Sequence, residues 1–301
     1  MGYINLSVMC LFAFLGCLSR QKNIVVPSFL VVINRAITFI LLPCIILAAM
    51  TKLTIDNTIW ILPISNIFIV VLMALFSIIV CRSLKLTRST SGAITTAFCS
   101  LEGGSIGLAL MLILFGNKFL PQFFIFDITH ALILFTFTYF LAYIYGNSVN
   151  LNLKLIRSFL FGPIPLSVAL GILLNLINYQ LNDITYNILN FIGYLILPAV
   201  MFILGYRFVY SSQHVLFAIM FTVIKLLIGI LLGLSFIYFF NVHDYGTKIV
   251  ILLSSALPPS FLTLVFAEEQ NLNSELLAAY LPISSLISFV VILTTVSLFL
   301  K

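Results

Sequence analysis

The chain has 301 residues, of which 62% are hydrophobic and only 7% are charged, with 14 Lys and Arg against 8 Asp and Glu. A soluble domain carries about 25% charged residues, so this chain lacks the polar side chains needed to cover a water-exposed surface. This composition excludes a cytoplasmic enzyme and a nucleic-acid-binding protein, and it indicates a protein of the lipid bilayer.

The apolar runs predict an all-α polytopic membrane protein. A spanning helix needs about 20 apolar residues, and we count ten such runs with short linkers between them. In chain order the predicted spans are 3–19, 25–51, 59–81, 92–116, 123–146, 158–177, 186–209, 215–240, 248–267 and 275–300. The second run is long enough to tilt or to contain a kink.

The basic residues predict the orientation of these spans. Loops after odd-numbered spans hold eight Lys and Arg, whereas the opposite side holds four. Because short cytoplasmic loops are enriched in Lys and Arg, we expect the odd loops in the cytoplasm. Both termini would then lie outside the cell membrane, whether an inner or a plasma membrane.

Two of the predicted spans contain helix breakers at corresponding positions. Span four has Gly103-Gly104 and span nine has Pro258-Pro259. Glycine weakens a helix by about 1 kcal/mol relative to alanine, and proline removes a backbone donor. Paired interruptions are the best sequence pointer to a transporter binding site. The predicted crossover site comprises Ser100, Glu102, Gly103, Gly104, Ser105, Leu257, Pro258, Pro259 and Ser260.

The same correspondence predicts an internal repeat. The interruptions fall in the fourth span of each set of five, which divides the chain into repeats at 1–155 and 156–301. Because five is an odd number of spans, the second repeat would insert inverted relative to the first.

Four charged side chains inside predicted spans stand out, because charge is costly there and marks a functional position or an ion pair: Arg35, Glu102, Asp127 and Lys225. Glu102 is a candidate proton carrier or cation ligand, or else a partner of Arg35 or Lys225. Arg35 could attract an anion or snorkel to the interface. For Lys225, structural pairing and anion coordination remain equally open.

Asp127 and His130 are the other candidates for proton coupling. They lie three residues apart and therefore on one helix face, where histidine could relay protons. They could equally face water or cap the outer end of their span. No second ligand pair with suitable spacing accompanies them, so no metal and no cofactor is expected.

Several motifs along the chain resemble the auxin efflux carrier family of membrane transporters. The resemblance is carried by Ser255-Ala-Leu-Pro-Pro-Ser260 with the following Phe-Ala-Glu-Glu, by Asn34-Arg35 before Leu42-Pro43, by Gly107-Leu108 before Leu114-Phe115-Gly116, by Gly162-Pro163 and Gly171, by Pro198 with Gly205, and by Lys225. This family includes bacterial carriers of small organic acids and plant exporters of auxin.

The resemblance implies a particular architecture and mechanism. Spans one, two, six and seven would form a scaffold, through which a homodimer could assemble. Spans three to five and eight to ten would form a transport unit that works by elevator-like alternating access, with spans four and nine crossing at the substrate.

Two residues depart from the family pattern: Glu102 stands where asparagine is common, and Ala109 replaces a proline. Either Glu102 is protonated when a carboxylate binds, or the substrate is not a carboxylate.

We therefore predict a secondary active transporter of a small organic anion, coupled to protons, and not an enzyme. No H-E-x-x-H or P-loop motif occurs in the sequence. The alternatives are a sodium-coupled symporter of the bile-acid type, and a sensor or a channel built on the same fold.

Overall fold

A computed structural model describes residues 2–22, 24, 27–53, 59–146, 157, 159–207 and 215–299. Side chains are described for the same residues except 2–10, 27 and 297–299. Within this part of the chain the secondary structure is helical and contains no strand.

The described helices have the following bounds: α1 Gly2–Gln21, α2 Pro27–Ala36, α3 Leu42–Met50, α4 Ile61–Ser83, α5 Arg88–Phe98, α6 Leu108–Phe115, α7 Leu120–Ile133, α8 Tyr139–Tyr145, α9 Pro163–Leu176, α10 Asp183–Tyr194, α11 Ile196–Arg207, α12 Val215–Phe239, α13 Tyr245–Ser255, α14 Leu262–Glu269 and α15 Ser274–Phe299. Side chains cap several helix starts. Thr87 accepts a hydrogen bond from the Thr90 N–H before α5, and Asp244 accepts one from the Thr247 N–H before α13.

Short π-helical segments interrupt three of the long apolar runs: Ile37–Leu41, Gly103–Gly107 and Leu134–Thr138. The first ends at Leu41, directly before α3, whose second residue is Pro43. Proline has no N–H for the helical ladder, and a π-bulge is one of the ways in which a helix accommodates such a gap. The long second run therefore contains a local irregularity.

Within the described residues, seven segments are long and apolar enough to cross a bilayer: Ser28–Met50, Ile61–Ser83, Arg88–Phe115, Leu120–Tyr145, Asp183–Arg207, Val215–Phe239 and Ser274–Val296. The chain is thus an integral membrane protein with several spanning helices. Helix α9 is apolar but has only 14 residues. The predicted total of ten spans and the inverted repeat stay predictions.

Both predicted interruptions are present. Helix α5 ends at Phe98, and the chain is not helical again until Gly103. Helix α13 ends at Ser255, and α14 begins at Leu262, after the two consecutive prolines. The backbone between these helices has lost its intrahelical hydrogen bonds and needs other partners at this depth.

The chain divides into two compact units, each of which combines segments from both halves of the sequence. Unit 1 comprises Met1–Asp56, Leu108–Phe124 and Arg157–Phe208. In it α1 packs along α11. Gly16 lies against the backbone of Phe202, and Gly205 lies against that of Ala13. A side chain at either glycine would prevent this close approach, which small residues provide between membrane helices.

Unit 2 comprises Asn57–Gly107, Ile125–Ile156 and Val209–Lys301, and it contains both interruptions. In it α12 packs against α4, α13 and α15. Two glycines of α12, Gly229 and Gly233, lie against Ser255 at the end of α13. This contact holds the first half of the interrupted segment 245–269 close to α12.

Candidate functional site

The two interrupted segments contact each other within unit 2. The Glu102 N–H donates to the Pro258 carbonyl at 2.8 Å. The Ser260 N–H donates to Ser100 Oγ at 3.0 Å. Each interruption therefore satisfies backbone groups of the other, which is how broken helices at bilayer depth can be stabilised.

The Glu102 side chain forms a further link between the two interruptions. Its Oε2 accepts a hydrogen bond from the Phe261 N–H at 3.0 Å, and its Oε1 accepts one from the Ser105 hydroxyl. Phe261 is the N-cap residue of α14, so the carboxylate occupies the positive end of that helix. The side chain is only partly buried, which leaves this position within reach of a ligand.

Asp127 lies beside the second half of the other interrupted segment. Its Oδ1 lies against Gly103, where a β-carbon would collide with it, and its Oδ2 lies 3.9 Å from the place of a β-carbon on Gly104. Gly103 begins the π-helical segment that leads into α6, and Asp127 interacts electrostatically with Glu102. A carboxylate therefore lies beside the start of the π-helical segment Gly103–Gly107 as well as at the N-terminus of α14.

His130 supports the same interruption from α7. Its Nε2 accepts a hydrogen bond from the Leu101 N–H at 2.9 Å, and the side chain is 2% exposed. Because Nε2 is an acceptor, the ring proton lies on Nδ1, and Nδ1 has no hydrogen-bond partner among the described residues. The predicted shared face of Asp127 and His130 thus packs on the interruption.

Lys225 donates hydrogen bonds to backbone carbonyls at the C-terminal end of the first half-helix, α5. Its Nζ donates to the Phe98 carbonyl at 3.2 Å and to the Ser100 carbonyl at 2.9 Å, and only 2% of the residue is exposed. These carbonyls lie at the C-terminal end of α5, where a positive charge is favourable. The structure thus gives Lys225 backbone partners, where the sequence suggested an acidic partner or an anion.

Most of the predicted site residues lie together in unit 2. Arg35 is the exception, because it lies in α2 of unit 1 and is exposed. The sequence did not identify Phe261, whose contribution is a backbone N–H. The sequence did offer a signal for this N–H group, because Phe261 directly precedes an apolar helix. The first N–H groups of a helix lack intrahelical partners.

The N-terminus of α14 meets the other interruption at Glu102. Free N–H groups at a helix N-terminus favour negative charge, so this position suits an anionic group. In comparisons with known proteins, a family model described as membrane transport protein matches residues 3–296. No curated protein matches the chain.

Proposed function

Because the chain belongs to the auxin efflux carrier family of membrane transport proteins, we propose that it is a secondary active transporter that carries a small organic anion. The observation that carries this proposal is the contact between the two interrupted segments, with the Glu102 carboxylate hydrogen-bonded to the Phe261 N–H. A carboxylate already occupies the positive end of α14, and a substrate carboxylate has the same chemistry.

Proton coupling follows from the competition between these two carboxylates. An ionised Glu102 holds the Phe261 N–H and repels an anion. When a proton binds Glu102, its oxygen becomes a weaker acceptor, and a substrate carboxylate can accept the Phe261 N–H in its place. One proton and one carboxylate then occupy the site together without adding net charge.

Asp127 increases the effect of that proton. Its carboxylate interacts with Glu102 and lies against Gly103. Two ionised carboxylates in one partly buried site repel each other and any anionic substrate. A proton shared by this pair reduces the repulsion, so Asp127 would make anion binding more dependent on protonation.

Alternating access would be elevator-like, with the interruptions carried by one moving body. Support comes from the division of the chain, since both interruptions lie in the single compact unit 2. That unit includes predicted spans three, eight and ten, together with α5, α8 and most of α7. Unit 1 would be the scaffold, and any dimer contact would form there. The ten spans of the whole chain would be arranged as two inverted repeats.

A thermal-shift screen of the detergent-purified protein tests this function. The panel contains small mono- and dicarboxylates, amino acids and an indole acid, each at pH 5.5 and pH 7.5. A ligand of the native state raises the unfolding temperature by mass action, and we expect a larger shift for carboxylates at the lower pH. The Glu102→Gln variant should lose this pH dependence, whereas the exposed Glu268→Gln should keep it.

The coupling ion has a second candidate, because Glu102 and Asp127 together could also bind Na⁺ through carboxylate oxygens. Repeating the screen in sodium and in choline buffers separates the two ions. A carboxylate shift that needs sodium and is equal at both pH values would replace the proton in this proposal. If no carboxylate shifts the wild-type protein in any buffer, the proposed anion function is wrong.

A further inference from the structure

A basic cavity lies in unit 1, and its lining includes no residue of the two interruptions. It has a volume of about 280 Å³, close to the smallest ligand pockets of proteins. Its described lining comprises Ala49, Lys52, Asn117, Lys118, Leu120, Pro121, Tyr186 and Asn190. Two of these eight side chains are cationic and none is acidic.

Lys52 is held at this cavity by an aromatic ring. Its Nζ lies 3.5 Å from the ring centroid of Tyr186, within the range of a cation–π interaction. Tyr186 belongs to α10, and its carbonyl accepts a hydrogen bond from Asn190 Nδ2 at 2.9 Å. The ammonium group thus lies over the surface of α10, although Lys52 itself is exposed.

The turn that carries Lys118 is also fixed. Gly116 has φ +58°, a left-handed conformation that glycine adopts without strain and that ends α6. Asn117 Nδ2 donates to Asn190 Oδ1 at 2.9 Å, and the Tyr194 hydroxyl donates to Asn117 Oδ1 at 3.1 Å. These bonds join the turn to α10, so both lysines are supported by the same helix.

We propose that this cavity binds an oxyanion, a carboxylate or a phosphate group, between Lys52 and Lys118. Both lysines line the cavity and no acidic side chain does, so an anion in the cavity is attracted by two positive charges. A neighbouring cavity of about 340 Å³ shares Lys52 and Tyr186 and includes Asp183, so the anion belongs in the acid-free cavity.

Lysine labelling of the full-length protein tests the proposal. The detergent-purified protein is treated briefly with an amine-reactive acetylating reagent, and each lysine is quantified by peptide mass spectrometry. The probes are succinate and inorganic phosphate, compared with sodium chloride at the same ionic strength. Lys85 is exposed in unit 2 and serves as the internal control.

We expect either probe to lower the labelling of Lys52 and Lys118 several-fold while leaving Lys85 unchanged. In the Lys52→Gln variant the protection of Lys118 should fall, because one of the two charges is lost. Tyr186→Leu should weaken the protection of Lys52 in the same way.

A second arm identifies the source of the oxyanion. The protein is labelled in nanodiscs of phosphatidylcholine alone and of phosphatidylcholine with phosphatidylglycerol, without added anion. Protection by succinate or phosphate assigns a soluble ligand, and protection only in the phosphatidylglycerol discs assigns a lipid headgroup. The proposal is overturned if no probe and no lipid changes the labelling of Lys52 and Lys118, or if their labelling changes only as much as that of Lys85. This result would leave the transport proposal intact, since the test involves neither interruption.

Discussion

Glu102 Oε2 accepts a hydrogen bond from the Phe261 N–H at 3.0 Å, across 159 residues of sequence. One carboxylate thereby links the two interrupted segments and occupies the N-terminal end of α14. This contact gives Glu102 both a structural role and a place in the proposed coupling, and variants can separate the two.

Replacing Glu102 by alanine should destabilise the protein, whereas glutamine should be tolerated. Alanine leaves the Phe261 N–H and the Ser105 hydroxyl without their acceptor, which costs about 1–3 kcal/mol for a buried donor. The glutamine oxygen can still accept from the Phe261 N–H. Thermal unfolding in detergent measures both variants, with the exposed Glu268→Ala as control. Equal stability of all the variants would mean that the Glu102 contact contributes nothing.

Replacing Lys225 by methionine should lower stability more than a typical surface change. Methionine fills a similar volume but donates no hydrogen bond, so the Phe98 and Ser100 carbonyls lose the donor seen in the structure. We expect a loss of about 1–3 kcal/mol. Lys22→Met, at an exposed position, should change the unfolding midpoint little. A Lys225→Met protein as stable as this control would contradict the capping role.

The adjacent glycines should respond differently to alanine. A β-carbon on Gly103 would collide with Asp127 Oδ1, whereas one on Gly104 would lie 3.9 Å from Oδ2 and fit. Gly103→Ala should therefore lower the unfolding temperature and Gly104→Ala should not. Adding Asp127→Ala to Gly103→Ala should recover part of the loss, because contacting residues are not additive. Identical effects of the two glycine variants would show that Asp127 does not pack there.

Replacing His130 by phenylalanine should destabilise the interruption next to α5. Phenylalanine fills the buried space but leaves the Leu101 N–H without its acceptor, at a cost of about 1–3 kcal/mol. His243→Phe is the matched control, because His243 is exposed. Amide hydrogen exchange of residues 99–103 should accelerate in His130→Phe alone. Unchanged exchange in this segment would rule out the support from His130.

The interruptions were predictable because their causes are local. Two consecutive prolines remove backbone donors from an apolar run, and two consecutive glycines weaken another. The shared face of Asp127 and His130 followed from helical periodicity alone. The family was also predictable, since its motifs recur in order along the chain and the matched region covers residues 3–296.

Partners distant in sequence could not be predicted. The balance of charged residues suggested an acidic partner for Lys225. In the structure its ammonium group donates to backbone carbonyls at a helix end, and backbone partners cannot be read from composition. Segment 245–269 consists of helices of 11 and 8 residues on either side of the two prolines, which agrees with the predicted interruption of span nine, but the sequence did not indicate which groups its open backbone contacts. Lys52 and Lys118 were counted only as loop charges, because nothing in the sequence brings them to one cavity.

Uptake into proteoliposomes tests the proposed transport most directly. Wild type, Glu102→Gln and Glu268→Gln are reconstituted, and entry of a radiolabelled carboxylate from the thermal-shift panel is followed with and without an imposed pH gradient. The account predicts that the gradient drives accumulation in wild type and in Glu268→Gln, and that Glu102→Gln shows no gradient-driven accumulation. Uptake that is absent in wild type, or equal in all three proteins and independent of the gradient, would contradict it.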